Sequence, residues 1–200
     1  MAEFLPAVAE AAATSGAAQI QTRGTIGGNA ANASPAGDML PLLLACDAQL
    51  VVGSAPGERW VAARDFWPAY RTTALEPDEL LLRISVPLPI DRQVRFRKVG
   101  TRRAQAISKV VMALAWRAEA SGRWRDVRLA LGSVAATPIR ATRTEAVLEG
   151  AAGDEGTADR AASTLASELN PIDDVRSSAD YRRAVAARVL HRLLREAGDW

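Results

Sequence analysis

Two hundred residues, 48% hydrophobic and 24% charged, suffice for a real core and lie far from a disordered composition. Twenty-five basic against 23 acidic residues leave a net charge of only +2, which implies no nucleic-acid partner. A single cysteine, Cys46, excludes a disulfide framework and a cysteine-held metal or iron–sulfur site, and a single histidine, His191, would confine histidine catalysis to a C-terminal helix.

The length suits one large domain or two small ones. No stretch approaches the ~18 consecutive apolar residues of a membrane span. Met1 to Ala13 carry acids and no basic region, unlike a signal peptide. A cytoplasmic protein is expected.

Residues 2–14, Ala-rich with Phe4, Leu5 and Val8, predict a helix ending near Ser15-Gly16. Thr22 to Asp38 is rich in glycine, asparagine and alanine, and such small side chains let a backbone lie directly against a ligand. Ser34-Pro35 reads as a helix start, with Ser34 as N-cap. Backbone donors beside a helix N-terminus form an anion site, although tight glycine turns before helices are also common. Met39, Leu40, Leu42, Leu43 and Leu44 then predict a buried helix to about Cys46.

Gln49–Gly53 and Trp60–Ala63 read as paired strands around a turn at Ser54-Ala55-Pro56-Gly57. Asp65, Phe66, Trp67 and Tyr70 fall in a short loop or helix. In the next strand, alternation puts Leu80, Leu82, Ile84 and Val86 on one face and Leu81, Arg83 and Ser85 on the other. Leu81 on the polar face is either an ordinary exposed leucine or the wall of a site for a flat ligand. Pro87 and Pro89 mark a boundary between two units.

Beyond it, Val94, Phe96 and Lys98 share one strand face, and Arg95, Arg97 and Val99 the other. Lys98 on the apolar side either snorkels at the strand end or is paired. Further strands are predicted at 107–117 and 127–134, around a turn at Ser121-Gly122. Thr142 and Glu145 have capping-box spacing before a short helix ended by Gly150. Another helix spans about 154–169. The last begins near Ser177, with Ala186, Val189, Leu190, Leu193, Leu194 and Ala197 on one face and its arginines solvated. The outline is two α+β units, divided as residues 1–88 and 92–200.

Taken together, these stretches resemble the flavoprotein (medium) subunit of the molybdenum hydroxylases, the xanthine dehydrogenase and carbon monoxide dehydrogenase group. The resemblance rests on Arg23-Gly24-Thr25-Ile26-Gly27-Gly28-Asn29, Ala33-Ser34-Pro35-Ala36-Gly37-Asp38 and Tyr70-Arg71-Thr72-Thr73. It continues through Pro77-Asp78-Glu79-Leu80-Leu81, Phe96-Arg97-Lys98-Val99-Gly100, Arg102-Arg103 and Ala130-Leu131-Gly132-Ser133-Val134-Ala135. Pro138-Ile139-Arg140-Ala141 and Glu145 complete it, colinear from about residue 17 to the last helix.

It implies an α+β chain: the second subdomain of a PCMH-type FAD-binding domain, then a CO-dehydrogenase-flavoprotein-like C-terminal domain with an antiparallel sheet and helices. It also implies FAD as cofactor and no catalytic acid or base from this chain. The implied partners are a molybdopterin-binding large subunit and a two-iron two-sulfur small subunit, with NAD or another molecule as electron acceptor. By the same resemblance Thr25, Ile26, Gly27, Gly28 and Asn29 surround the FAD pyrophosphate, Asp38 binds through its carboxylate, Leu81 lies against the isoalloxazine ring and Lys98 sits near the flavin.

The family pattern has a further N-terminal subdomain with an Ala-Gly-Gly-Thr loop on the other side of the pyrophosphate, and no such motif occurs here. Roughly the first third of the family pattern is therefore expected to be encoded separately or lost by truncation, leaving FAD weakly held. Losing several charge-assisted hydrogen bonds, each about 1.5–3 kcal/mol, has that effect. The alternatives are a homologue without flavin that serves as a scaffold and, after it, a glycine loop that binds some other phosphate ligand.

Overall fold

In the computed structural model, which describes residues 6–87 and 91–200, the first element is helix α1, Pro6–Thr14. The start of the helix predicted from residue 2 and the boundary proline Pro89 lie outside the described residues. Helix α1 gives way at Gly16, which has φ +62 and would bring a Cβ within 2.7 Å of the Ile20 Cβ. A single turn, α2, spans Ala18–Gln21.

The glycine segment is not an open loop. Ile26–Ala31 forms helix α3, in spite of the poor helix propensity of Gly27 and Gly28. A local cap at one end and a tertiary bond at the other override the propensity. Thr25 caps the start, its Oγ1 accepting the Gly28 N–H at 2.9 Å, and the Trp67 Nε1–H donates to the Ala30 carbonyl at 3.0 Å.

Ser34 does not cap the following helix. Ala33 turns the chain at φ +48, and the Gly37 N–H closes on the Ser34 carbonyl at 2.8 Å. The Ser34 hydroxyl accepts only the Ala36 N–H, within that same turn. Helix α4 therefore starts later, at Leu40, and runs to Ala45 with every residue buried.

Strands β1 (Gln49–Ser54) and β2 (Gly57–Ala62) form the predicted hairpin, followed by the short helix α5, Ala63–Phe66. Strand β3 (Leu80–Ser85) adds to the other edge of β1, giving the order β2-β1-β3. Its alternation breaks at a bulge: Arg83 pairs with Val51, but Leu81 pairs with Val52, so Leu82 is the extra residue. The bulge returns Leu81 to the core side with Ile84 and Val86, and leaves Leu80 and Leu82 at 70% and 45% exposure. The expectation that Leu81 lies on the polar face is thus corrected.

The second sheet comprises β4 (Arg92–Val99), β5 (Val110–Ala118), β6 (Trp124–Gly132) and β7 (Ile139–Arg140), antiparallel in chain order. Here parity holds in β4, with Val94 and Phe96 facing the first core and Val99 the second. Strand β5 is buried on both faces, so it reads as a continuous apolar run. Its small residues Ala113 and Ala115 turn with Val111 toward the α4 side; Met112, Leu114 and Trp116 pack into the opposite core.

That opposite core is closed by α6 (Thr142–Leu148), α7 (Glu155–Glu168) and α8 (Ala179–Gly198). Asp154 and Ser178 cap α7 and α8. Helix α6 lacks its predicted capping box, because Glu145 is recruited by the Leu129 N–H and by Arg140. Arg182, read as solvated, is 4% exposed and donates to the Ser133 carbonyl and to Asp174.

The fold is α+β with two antiparallel sheets. Its first core crosses from one sheet to the other, since Phe96, Val111 and Ala130 pack in the same cluster as Leu40, Leu50 and Phe66.

Candidate functional site

The residues singled out from the sequence fall in two linked places: Ile26, Gly27 and Leu81 line one groove, and Asp38 and Lys98 form a buried pair tied to α3 through Asn29 and Met39. At the start of α3 the N–H groups of Ile26 and Gly27 have no intrahelical acceptor, as at any helix start. Gly27 presents bare backbone: a Cβ there would touch only the Leu81 Cδ2, at 3.8 Å. Gly28 is confined instead by the cap, with Thr25 Oγ1 3.0 Å from where its Cβ would lie.

Ile26, Gly27, Leu81, Ile84 and Val86 line an apolar groove of about 210 Å³. Asn29 stands behind it, its Oδ1 accepting the Met39 N–H at 3.3 Å and tying α3 to the turn that carries Asp38.

Asp38 and Lys98 form a buried pair, Nζ to Oδ2 2.7 Å, with side chains 10% and 8% exposed. The Lys98 ammonium also donates to the Thr14 carbonyl at 2.8 Å, the end of α1. The other Asp38 oxygen accepts the Ser108 hydroxyl. Both carboxylate oxygens are thus committed within the protein, and a contact from Asp38 to a cofactor competes with these bonds. Lys98 lies on the apolar strand face, as the alternation indicates, and is paired there rather than snorkelling.

Ser108 is also a wall of a second, larger cavity of about 560 Å³, bounded by Pro35, Tyr70, Ile107 and Ile172. Three arginines, Arg71, Arg176 and Arg182, face one acid, Asp174, around it. Burial alone would raise the Asp174 pKa, but the N–H groups of Arg176 and Ser177 and the Arg182 guanidinium hold it below the usual carboxylate range. The cavity is therefore net cationic. Ser133, at φ +66, has a buried hydroxyl with no hydrogen-bond partner among the described residues, and it lines this cavity.

Ser108 and Arg182 escaped the sequence reading. Ser108 meets its partner across 70 positions, beyond any local pattern. Arg182 sits on a helix whose other arginines mask it. Cys46 plays no part, since burial pushes its thiol up to about 11 and keeps it protonated.

The donor set fits one part of a dinucleotide: free N–H groups and bare backbone for phosphate, and an apolar wall at Leu81 for a planar ring. The groove is smaller than the ~300–1,000 Å³ of whole-ligand pockets.

Residues 1–89 match the family described as FAD binding domain in molybdopterin dehydrogenase, and residues 95–197 match the CO dehydrogenase flavoprotein C-terminal domain. The carbon monoxide dehydrogenase medium chain of Afipia carboxidovorans is 34% identical over 202 residues, covering 98% of this chain and 68% of that one. The glyceraldehyde dehydrogenase medium chain of Sulfolobus acidocaldarius is 35% identical, covering 90% and 64%.

Among solved structures, the Cu,Mo-CO dehydrogenase superposes with a TM-score of 0.89 at 33% identity, covering 96% of this chain and 66% of that one. Quinoline 2-oxidoreductase from Pseudomonas putida 86 gives 0.91 at 29%, covering 99% and 68%. The chain spans about two thirds of the length of these relatives. With both domains matched in order, the chain belongs to the FAD-binding medium-subunit family of the molybdenum hydroxylases, an oxidoreductase family whose cofactor in this domain is FAD.

Proposed function

We propose that this chain holds FAD as the electron-transfer component of a molybdopterin-dependent hydroxylase. In that role it receives electrons from a two-iron two-sulfur small subunit and passes them to NAD or another acceptor. Substrate oxidation then belongs to a molybdopterin-binding large subunit. The single observation that carries the reading is the groove shared by the α3 start and Leu81, tied through Asn29 and Met39 to the segment of the buried Asp38–Lys98 pair.

FAD, when bound, supplies the redox chemistry. The chain's own residues bind and orient it. Ile26 and Gly27 N–H groups take the pyrophosphate, with Thr25 and Gly28 fixing the turn and Asn29 holding it against the Asp38 segment. Leu81 covers the ring system and excludes water from it. Lys98 places a fixed positive charge nearby, which Asp38 keeps in position. The cationic cavity beyond Ser108 suits an anionic acceptor such as a nicotinamide dinucleotide.

The small groove and the committed Asp38 carboxylate favour a second reading, a scaffold that holds no flavin. Purified chain, alone and mixed with an N-terminal segment of a relative carrying the Ala-Gly-Gly-Thr loop, separates the two. Flavin absorbance retained after desalting in the mixture supports the FAD reading. Retention in neither preparation overturns it in favour of the scaffold. The domain division at 88–92 is part of the same proposal, and independent expression of residues 92–200 as a folded unit tests it.

A further inference from the structure

We propose that Ser108 is a positioning residue: through Asp38 it fixes Lys98, and with Lys98 the charge that faces the flavin. The inference rests on the FAD reading above for its final step only. Ser108 is 1% exposed, yet it belongs to two environments, the wall of the cationic cavity and the buried ion pair. Its hydroxyl donates to Asp38 Oδ1, while Oδ2 takes Lys98.

A carboxylate held at only one oxygen can rotate about its terminal bond, because that torsion is broad. Held at both oxygens, it cannot. Lys98 has four rotatable bonds and, among the described residues, no acceptor besides Asp38 Oδ2 and the Thr14 carbonyl, so the orientation of Asp38 decides where the ammonium sits. Ser108 also ties the pair to the 100–108 segment, whose Gln105 N–H reaches the Gly16 carbonyl at 2.8 Å behind α1. The hydroxyl thus joins a residue of the cavity wall to the ion pair that positions the Lys98 charge.

The chain offers a clean probe, because Lys98 and Lys109 are its only lysines. Lys109 lies over the exposed Tyr181 ring, whereas Lys98 is enclosed. Nitrogen-15 labelled lysine in the full chain should therefore show one slowly exchanging ammonium signal, from Lys98. Ser108→Ala should speed its hydrogen exchange at least about tenfold, with backbone amide shifts elsewhere unchanged, and Ser108→Thr should restore it.

In the flavin-retaining mixture, Ser108→Ala should weaken FAD affinity severalfold and shift the flavin potential, and Ser108→Thr should again rescue both. Unchanged Lys98 exchange in Ser108→Ala overturns the proposal. So does altered exchange with unaltered FAD affinity and potential. If Ser108→Ala does not fold, Ser108→Cys, of similar volume and weaker donor strength, is read by the same signals. Failure of the wild-type mixture to retain FAD would count against the FAD reading instead, and leaves the Lys98 signal to decide the effect of Ser108 on the ion pair.

Discussion

The two sheets are made from equally apolar strands but are covered very differently. In the second, β5 is buried for seven consecutive residues, Val110 to Trp116, with α4 on one face and α6–α8 on the other. In the first, β3 buries no residue fully, and the outer face of the sheet shows Trp60 of β2 at 61%, Leu80 at 70% and Leu82 at 45% exposure. Charge divides the same way. Residues 1–90 hold 5 basic and 9 acidic side chains, and residues 91–200 hold 20 and 14. The groove at Gly27 and Leu81 lies on the thinly covered, acidic part, and Lys98, the buried partner of Asp38, comes from the well-covered, basic part.

Substitution in the two sheets should break this contrast open. Trp116 is 1% exposed and stacked on Trp124 at 5.0 Å between ring centroids. Trp116→Ala should lower stability by about 3–5 kcal/mol. Leu82→Ala, on the open face, should change it by about 0.5 kcal/mol or less. Urea unfolding midpoints check both. Similar losses at the two positions would mean that the open face is covered in solution.

The link between the regions should be nearly as sensitive. Lys98→Met leaves the Asp38 carboxylate buried with Ser108 alone, and a broken buried pair costs about 3–5 kcal/mol. Combining it with Asp38→Asn should recover a large part of the loss, because no uncompensated charge then remains. Denaturant titration of the single and double variants measures the difference.

How much of this was readable in the sequence depended on whether partners were local. Alternation placed Lys98 beside Phe96 correctly, since β4 is regular along its whole length. The same count failed in β3, because five of its residues and neighbours are apolar and nothing in them marks Leu82 as the bulge. Local cap signals misled twice. Ser34 is held in a turn by backbone bonds, and Glu145 turns to Leu129 and Arg140 instead of its own helix start. The site residues were reached by resemblance, and the geometry adds what the motifs do not encode: a helix start where a loop was expected, and Ser108 on Asp38.

A smaller effect concerns the seam on the far side of α4. Asp126, at φ +55, bonds Arg92 and Arg128. Burial would raise its pKa, but the two guanidinium groups outweigh this and hold it below the usual carboxylate range. A lowered folded pKa means that the stabilisation is complete above the unfolded value, about 3.9, and is lost as the pH falls through the folded one. Asp126→Asn should flatten that acid limb, since asparagine tolerates the positive φ. Urea midpoints taken from about pH 5 down to about pH 2 give the slope.

The sharpest test uses two adjacent glycines. Gly28→Ala pushes a methyl to 3.0 Å from the capping Thr25 Oγ1 and should cost about 1 kcal/mol, as loss of a cap does. Gly27→Ala meets only Leu81, at 3.8 Å, and should stabilise α3 by about 0.5–1 kcal/mol through reduced backbone entropy. Thermal unfolding should therefore move in opposite directions for neighbouring positions. FAD retention in the reconstituted mixture should fall for both, and for Gly27→Ala it should fall while stability rises. That combination arises only if bare backbone at residue 27 faces the ligand. A Gly27→Ala chain that keeps FAD as the wild type does would move the pyrophosphate away from the start of α3.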